Sequence, residues 1–192
     1  LRTFYDAIPQ FEPVLDWFLA TKPVLDHNQI KRGWTYLEKL SCEWHERDPI
    51  FFFDEDYISD FPSWNCIAAD HLQEWLATLP PDNPYIIVPL ITPQQLLEES
   101  KLMRHCVVTY LENCLSGDTR IFSIRDAGNV ERIGTIELTI ASGRWVMVQL
   151  KGKCNAPLPQ APISDDPLAI ALDNFVEWYN KKSSVLNLSQ QQ

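Results

Sequence analysis

"RIFSIRDAGNVERIGTIELTIASGRWVMVQLKG", residues 120–152, is the stretch that decides the fold. Within it RIFSIR, RIGTIELTI and RWVMVQLKG alternate apolar and polar residues at the period of two that a half-buried strand requires. DAGN and ASG separate them, and both are turn sequences, so the stretch reads as an antiparallel meander. Phe122, Ile124, Ile136, Leu138, Ile140, Val146, Val148 and Leu150 make one apolar face. The opposite face carries Ser123, Arg125, Thr135, Glu137, Thr139, Gln149 and Lys151. A solvated face needs only polarity, whereas this one sets hydroxyl, acid, amide and basic groups within reach across neighbouring strands. It is the candidate site.

Upstream, YIIVPL (85–90) reads as a short buried strand whose Pro89 marks a sheet edge or a strand end. TPQQ begins a helix: Thr92 caps it, Pro93 takes the first helical position, and Gln95 stands where a reciprocal cap reaches back. That helix is expected to run toward CLSG, where Gly117 stops it. Residues 9–80 read as helical. Ile30, Trp34, Leu37, Leu40 and Trp44 lie on one stripe behind Asn28 as cap, and Ile67, Leu72, Trp75 and Leu79 repeat the pattern before LPPDNP ends it. The intervening IFFFDEDYISDFP is read as a loop or short strand. Downstream, the Pro-rich NAPLPQAPISDDP leads to a last helix opening at Asp166-Pro167 and carrying Leu168, Leu172, Phe175 and Trp178. The expected fold class is therefore α+β, a helical amino-terminal half packed on a small antiparallel β-meander flanked by helices. Its divisions fall at 1–84, 85–182 and a polar tail, 183–192.

The chain has 192 residues and a net charge of −10. Lys101 to Asn155 holds eight basic against five acidic residues, a local +3, while the remainder carries −13. A basic segment in an acidic chain marks where a polyanion would bind, and the overall charge argues against nonspecific coating of DNA. No apolar run approaches a membrane span, and the first residue, Leu1, has no signal-peptide pattern behind it, which suggests a fragment or a trimmed start. Five scattered cysteines, Cys42, Cys66, Cys106, Cys114 and Cys154, suit reduced thiols in a cytoplasm better than a disulfide framework.

LMRHCVVTY (102–110) puts His105 directly beside Cys106. Neighbours on a helix point about 100° apart, so either the chain is irregular there or the two side chains do different jobs. Cys106 is expected to pack and His105 to donate a hydrogen bond near the polar face. From Ile91 through Arg125, and on through GTIEL and VQLKGKCN, the sequence resembles the PcfJ-like proteins of plasmids and other mobile elements. The shared pattern is a helix with H-C-V and then Y, a Gly-ended turn, a strand ending in Arg, T-x-E, and Q-x-x-G-x-x-N. The matching positions are Glu98 or Glu99, His105, Cys106, Val107, Tyr110, Gly117, Arg125, Thr135, Glu137, Gln149, Gly152 and Asn155, within about residues 86–182. Val108 and Cys154 depart from it, standing where a small and a polar residue are usual. The resemblance implies a protein of a mobile element or a phage-defence system, working with a protein partner in a larger assembly; it supplies no reaction.

Three chemistries fit these residues. A metal-dependent nuclease of the PD-(D/E)xK kind would use Glu137 with Glu98 or Glu99 to hold Mg²⁺ or Mn²⁺, with Gln149-x-Lys151 on the next strand. Thiol chemistry at Cys106 would need His71 or His45 as base, because His105 is badly placed; a zinc site from His105, Cys106, Cys114 and Cys154 lacks C-x-x-C spacing. A binding module would use Arg125, Gln149, Lys151 and Asn155, with Thr135 and Tyr110, to hold nucleic acid or a nucleotide, Glu137 would pair with Arg125, and Trp145 and Met147 would offer stacking surfaces. The bland alternative is an internal polar network that closes the fold.

Overall fold

In the computed structural model the meander forms, and YIIVPL joins it as a fourth strand. Described are residues 14–15, 17–18, 21–47, 58–128, 131–156, 158 and 166–189, with backbone alone at 45–47 and 187–189. Expectations for residues 9–13, 48–57 and 190–192 lie outside these. The strands β1 (Tyr85–Leu90), β2 (Thr119–Asp126), β3 (Arg132–Ala141) and β4 (Arg144–Gly152) lie in the order β1-β2-β3-β4, every pair antiparallel. Ser142 and Gly143 both take positive φ between β3 and β4, the mirror-image turn that matches strand twist.

Two β-bulges break the strict alternation. Between β2 and β3 the register runs Ile124↔Gly134 and then Arg125↔Arg132, which leaves Ile133 over. Between β3 and β4 it runs Glu137↔Gln149 and then Leu138↔Met147, which leaves Val148 over and half exposed. An extra residue reverses the side-chain parity beyond it. Trp145 and Met147 therefore pack into the apolar core, which corrects their expected place on the polar face. The first bulge acts oppositely and carries Arg132 onto the polar face.

Helices cover both sides of the sheet. On the apolar side, two short helices, Ile67–Asp70 and Leu72–Leu76, and the long terminal helix Pro167–Ser189 close over Phe122, Ile124, Ile136, Leu138 and Leu150. Phe122 meets Phe175 and Tyr179 edge to face at 4.9 and 5.6 Å between centroids, contacts worth about 0.5–1.5 kcal/mol each beyond burial. Asn180 on the same helix bonds both the N–H and the C=O of Trp145, taking the place of a neighbouring strand on the β4 edge. On the polar side, Leu96, Leu97, Val107, Val108 and Leu111 form a second core with Leu90 and Ile121.

That second layer begins where expected. Gln95 N–H donates to Thr92 Oγ1 at 3.2 Å, Thr92 N–H donates to Gln95 Oε1 at 3.1 Å, and Pro93 opens the helix Pro93–Met103. It does not continue to Gly117. Arg104 turns left-handed (φ 56°, ψ 53°), and a 3₁₀ turn (Val107–Tyr110) and a short helix (Leu111–Ser116) follow before Gly117 ends the layer. The buried Ser100 holds the break: its carbonyl accepts from Arg104 N–H and its hydroxyl from Val108 N–H, both at 2.8 Å.

Nearer the amino terminus the helix His27–Lys31 is capped by Asp26 rather than Asn28, and positive-φ Gly33 separates it from Trp34–Arg47. Asp26 wins because Asn28 already lies inside the first turn, where it can only donate to the cap. Cys42 on Trp34–Arg47 and Cys154 just after β4 form a disulfide, with Cα atoms 5.5 Å apart, so these two cysteines are not the reduced thiols that their spacing suggested.

Candidate functional site

The helix break aims His105 at the sheet. Its Nε2 lies 2.9 Å from Thr135 Oγ1, and Thr135 Oγ1 lies 2.7 Å from Glu99 Oε1. A hydroxyl has one proton, and the carboxylate can only accept, so Thr135 donates to Glu99 and accepts from His105 Nε2–H. The chain of three thereby sets the imidazole tautomer. Glu99 has no exposed surface, and its second oxygen accepts from Arg132 Nε at 2.8 Å. Arg132 also reaches Glu98 at 2.9 Å, on the exposed rim.

The strands arrange the face in rows. Val88, Ser123, Thr135 and Lys151 are lateral partners; Leu90, Ile121, Glu137 and Gln149 make the next row; Ile86, Arg125 and Arg132 lie beyond the bulge. Gln149 Nε2 donates to the Tyr110 hydroxyl at 2.8 Å, tying β4 to the 3₁₀ turn. Glu137 is buried and accepts weakly from Thr139 at 3.4 Å, and its charge adds to the burial that raises the Cys114 thiol pKa. Asn155 sits at the end of β4 in a left-handed turn.

Glu137 is not the partner of Arg125. The register puts Arg125 opposite Arg132, and Glu137 two rows away opposite Ile121. The Arg125 guanidinium, half-buried, donates from Nε to Ser123 Oγ at 3.3 Å and bridges to no carboxylate among the described residues. Burial lowers its pKa, and the like charge of Arg132 adds to the shift, outweighing the more distant Glu99 and Glu98.

Glu98, Glu99, His105, Tyr110, Arg125, Thr135, Glu137, Gln149 and Lys151 thus share the space between one helical layer and the sheet. Glu98 and Glu99 are spent on Arg132, and no group of three or more His, Cys, Asp or Glu is placed to hold a metal ion among the described residues. His105 bonds the polar face as expected, while Cys106 is only half-buried rather than packed in the core. His71 bonds Glu74 beside the opposite core, and the side chain of His45 lies outside what is described. Arg132 is the network member the sequence does not show, because it enters only through the bulge; Ser123 lies on the polar face as expected and bonds Arg125. A groove of about 670 Å³ between the 78–84 loop and the terminal helix, lined by Trp75, Pro80, Ile170 and Trp178, shares no residue with this network.

The family model for PcfJ-like proteins matches residues 68–162, about half the chain. The match starts before the 86–182 span of the resemblance and ends inside it, taking in every residue of the site. No curated protein and no solved structure gives a match. Over residues 68–162 the chain belongs to the PcfJ-like proteins.

Proposed function

We propose that the chain binds a phosphate-bearing ligand, nucleic acid or a nucleotide, at the Arg125 end of the polar layer. The observation that carries this is Arg125 itself, a partly desolvated guanidinium beside a second arginine and without a carboxylate bridge among the described residues. An anion there would supply the missing bidentate partner and relieve the Arg–Arg repulsion. Lys151, on the same face beside Thr135, adds a second cation. The family resemblance supports a setting in a plasmid, another mobile element or a phage-defence system, with a protein partner.

A nuclease is the second reading, favoured by one feature: Glu137 and Gln149 are direct cross-strand partners, with Lys151 one row away. Against it stand the engagement of both helix carboxylates by Arg132 and of the Gln149 amide by Tyr110. Fluorescence anisotropy with short labelled single-stranded DNA and with ATP separates the two. Binding is expected to weaken with salt and survive EDTA, and Arg125→Ala should lower affinity roughly tenfold or more. Mn²⁺-dependent cleavage lost in Glu137→Ala would replace binding by the nuclease; no binding of either probe would remove both.

A further inference from the structure

The cross-link between Cys42 and Cys154 joins segments 112 residues apart, and its two ends differ in how they are held. At one end is the helix Trp34–Arg47, which lies outside the two described hydrophobic cores and packs through the buried Ser41 and the half-buried Leu37, Leu40 and Trp44. At the other is a short turn in which Cys154 (φ 55°, ψ 35°) and Asn155 (φ 58°) are both left-handed. Consecutive non-glycine residues in that region are costly and persist only where their surroundings hold them. Gly152 N–H to Ala156 C=O at 2.7 Å and Ala156 N–H to Lys153 C=O at 3.1 Å close the turn, and the disulfide ties its middle. The turn follows Lys151 directly and packs against the helix Pro93–Met103 that carries Glu98 and Glu99.

We propose that this disulfide is a redox latch: formed, it clamps the Trp34–Arg47 helix onto the turn that follows β4; reduced, it lets the two loosen from one another. Opening is a thiol–disulfide exchange with a dithiol reductant. One reductant thiolate attacks a sulfur of the bridge and expels the other cysteine as thiolate; the second reductant thiol, as its thiolate, then displaces the attacked cysteine. The bridge gains two electrons and two protons, and the dithiol becomes a disulfide. Of the remaining thiols, Cys66 and Cys114 are buried and held protonated, so neither is poised to attack the bridge and reshuffle it. The latch does not depend on what the polar layer binds.

The test uses the full chain, air-oxidised or treated with dithiothreitol. A non-reducing digest should yield the Cys42 and Cys154 peptides joined. Hydrogen exchange at 35–47 and 153–156 should quicken roughly tenfold or more on reduction, while β2 and β3 stay protected. Cys42→Ser and Cys154→Ser should each exchange like the reduced protein and lose the response to dithiothreitol. Free alkylation of both cysteines in the oxidised chain would overturn the latch. So would a bridge whose reduction leaves exchange at 35–47 unchanged.

Discussion

Replacing Glu99 with alanine tests whether the buried chain of polar groups holds the helical layer to the sheet. The carboxylate has no exposed surface and accepts from Thr135 and Arg132 at 2.7 and 2.8 Å. Removing one partner of a buried ion pair costs about 3–5 kcal/mol, because the other is left desolvated. Arg132 keeps its bond to Glu98 and has 16% of its side chain exposed, so the lower end applies, about 3 kcal/mol. With a urea slope near 2 kcal/mol/M for a chain of this size, the unfolding midpoint should fall by roughly 1.5 M. Glu99→Gln keeps the volume and an acceptor for Thr135 but not the charge, and should cost about 1–2 kcal/mol. A double-mutant cycle with Arg132→Met should return a coupling of roughly 1.5 kcal/mol or more. A second readout tests the proton order. While Thr135 donates to Glu99, His105 must carry its proton on Nε2, and long-range ¹H–¹⁵N correlation reports that tautomer directly. A midpoint shift below about 0.5 M, or coupling near zero, would show that the layers are held by Leu96, Val107 and Ile121 and that the polar chain is incidental.

Burial pushes the Cys114 thiol up to about 12 and raises Cys66 and Tyr179 from their ordinary values. These groups stay protonated in the folded chain after the unfolded thiol, near 9.0, has ionised, so their contribution is complete below that pH and is lost as pH climbs toward the folded values. The unfolding free energy from urea titration should therefore fall above about pH 9, by up to about 1.4 kcal/mol per pH unit per group, with a shallower fall in Cys114→Ala; a flat alkaline profile refutes the burial account. Native labelling with iodoacetamide should modify Cys106 at the rate of an ordinary thiol and spare Cys66 and Cys114 until unfolding. Labelling of Cys106 far faster than free cysteine would restore thiol chemistry there.

What could be read from the chain follows the range of each interaction. The cap at Thr92 and Gln95 was legible because all its atoms lie within four residues, and the three strands of the meander because alternation is local. The break at Arg104 was not, since LMRHCVV holds no glycine or proline; the left-handed turn is held by Ser100. The Cys42–Cys154 pairing was invisible for the same reason, being decided by where a helix and a turn meet. The bulges are the instructive case. Strict period two puts Arg132 on the face of Gly134 and Ile136, under Phe122 and the terminal helix, where a guanidinium would have no acid. One extra residue at Ile133 turns it to the other side, onto Glu99. It also sets Arg132 beside Arg125, where its like charge adds to burial in lowering the Arg125 pKa. The same irregularity thus pairs one buried charge and sets a like charge beside another, so the polar network is built where the pattern fails and not where it holds.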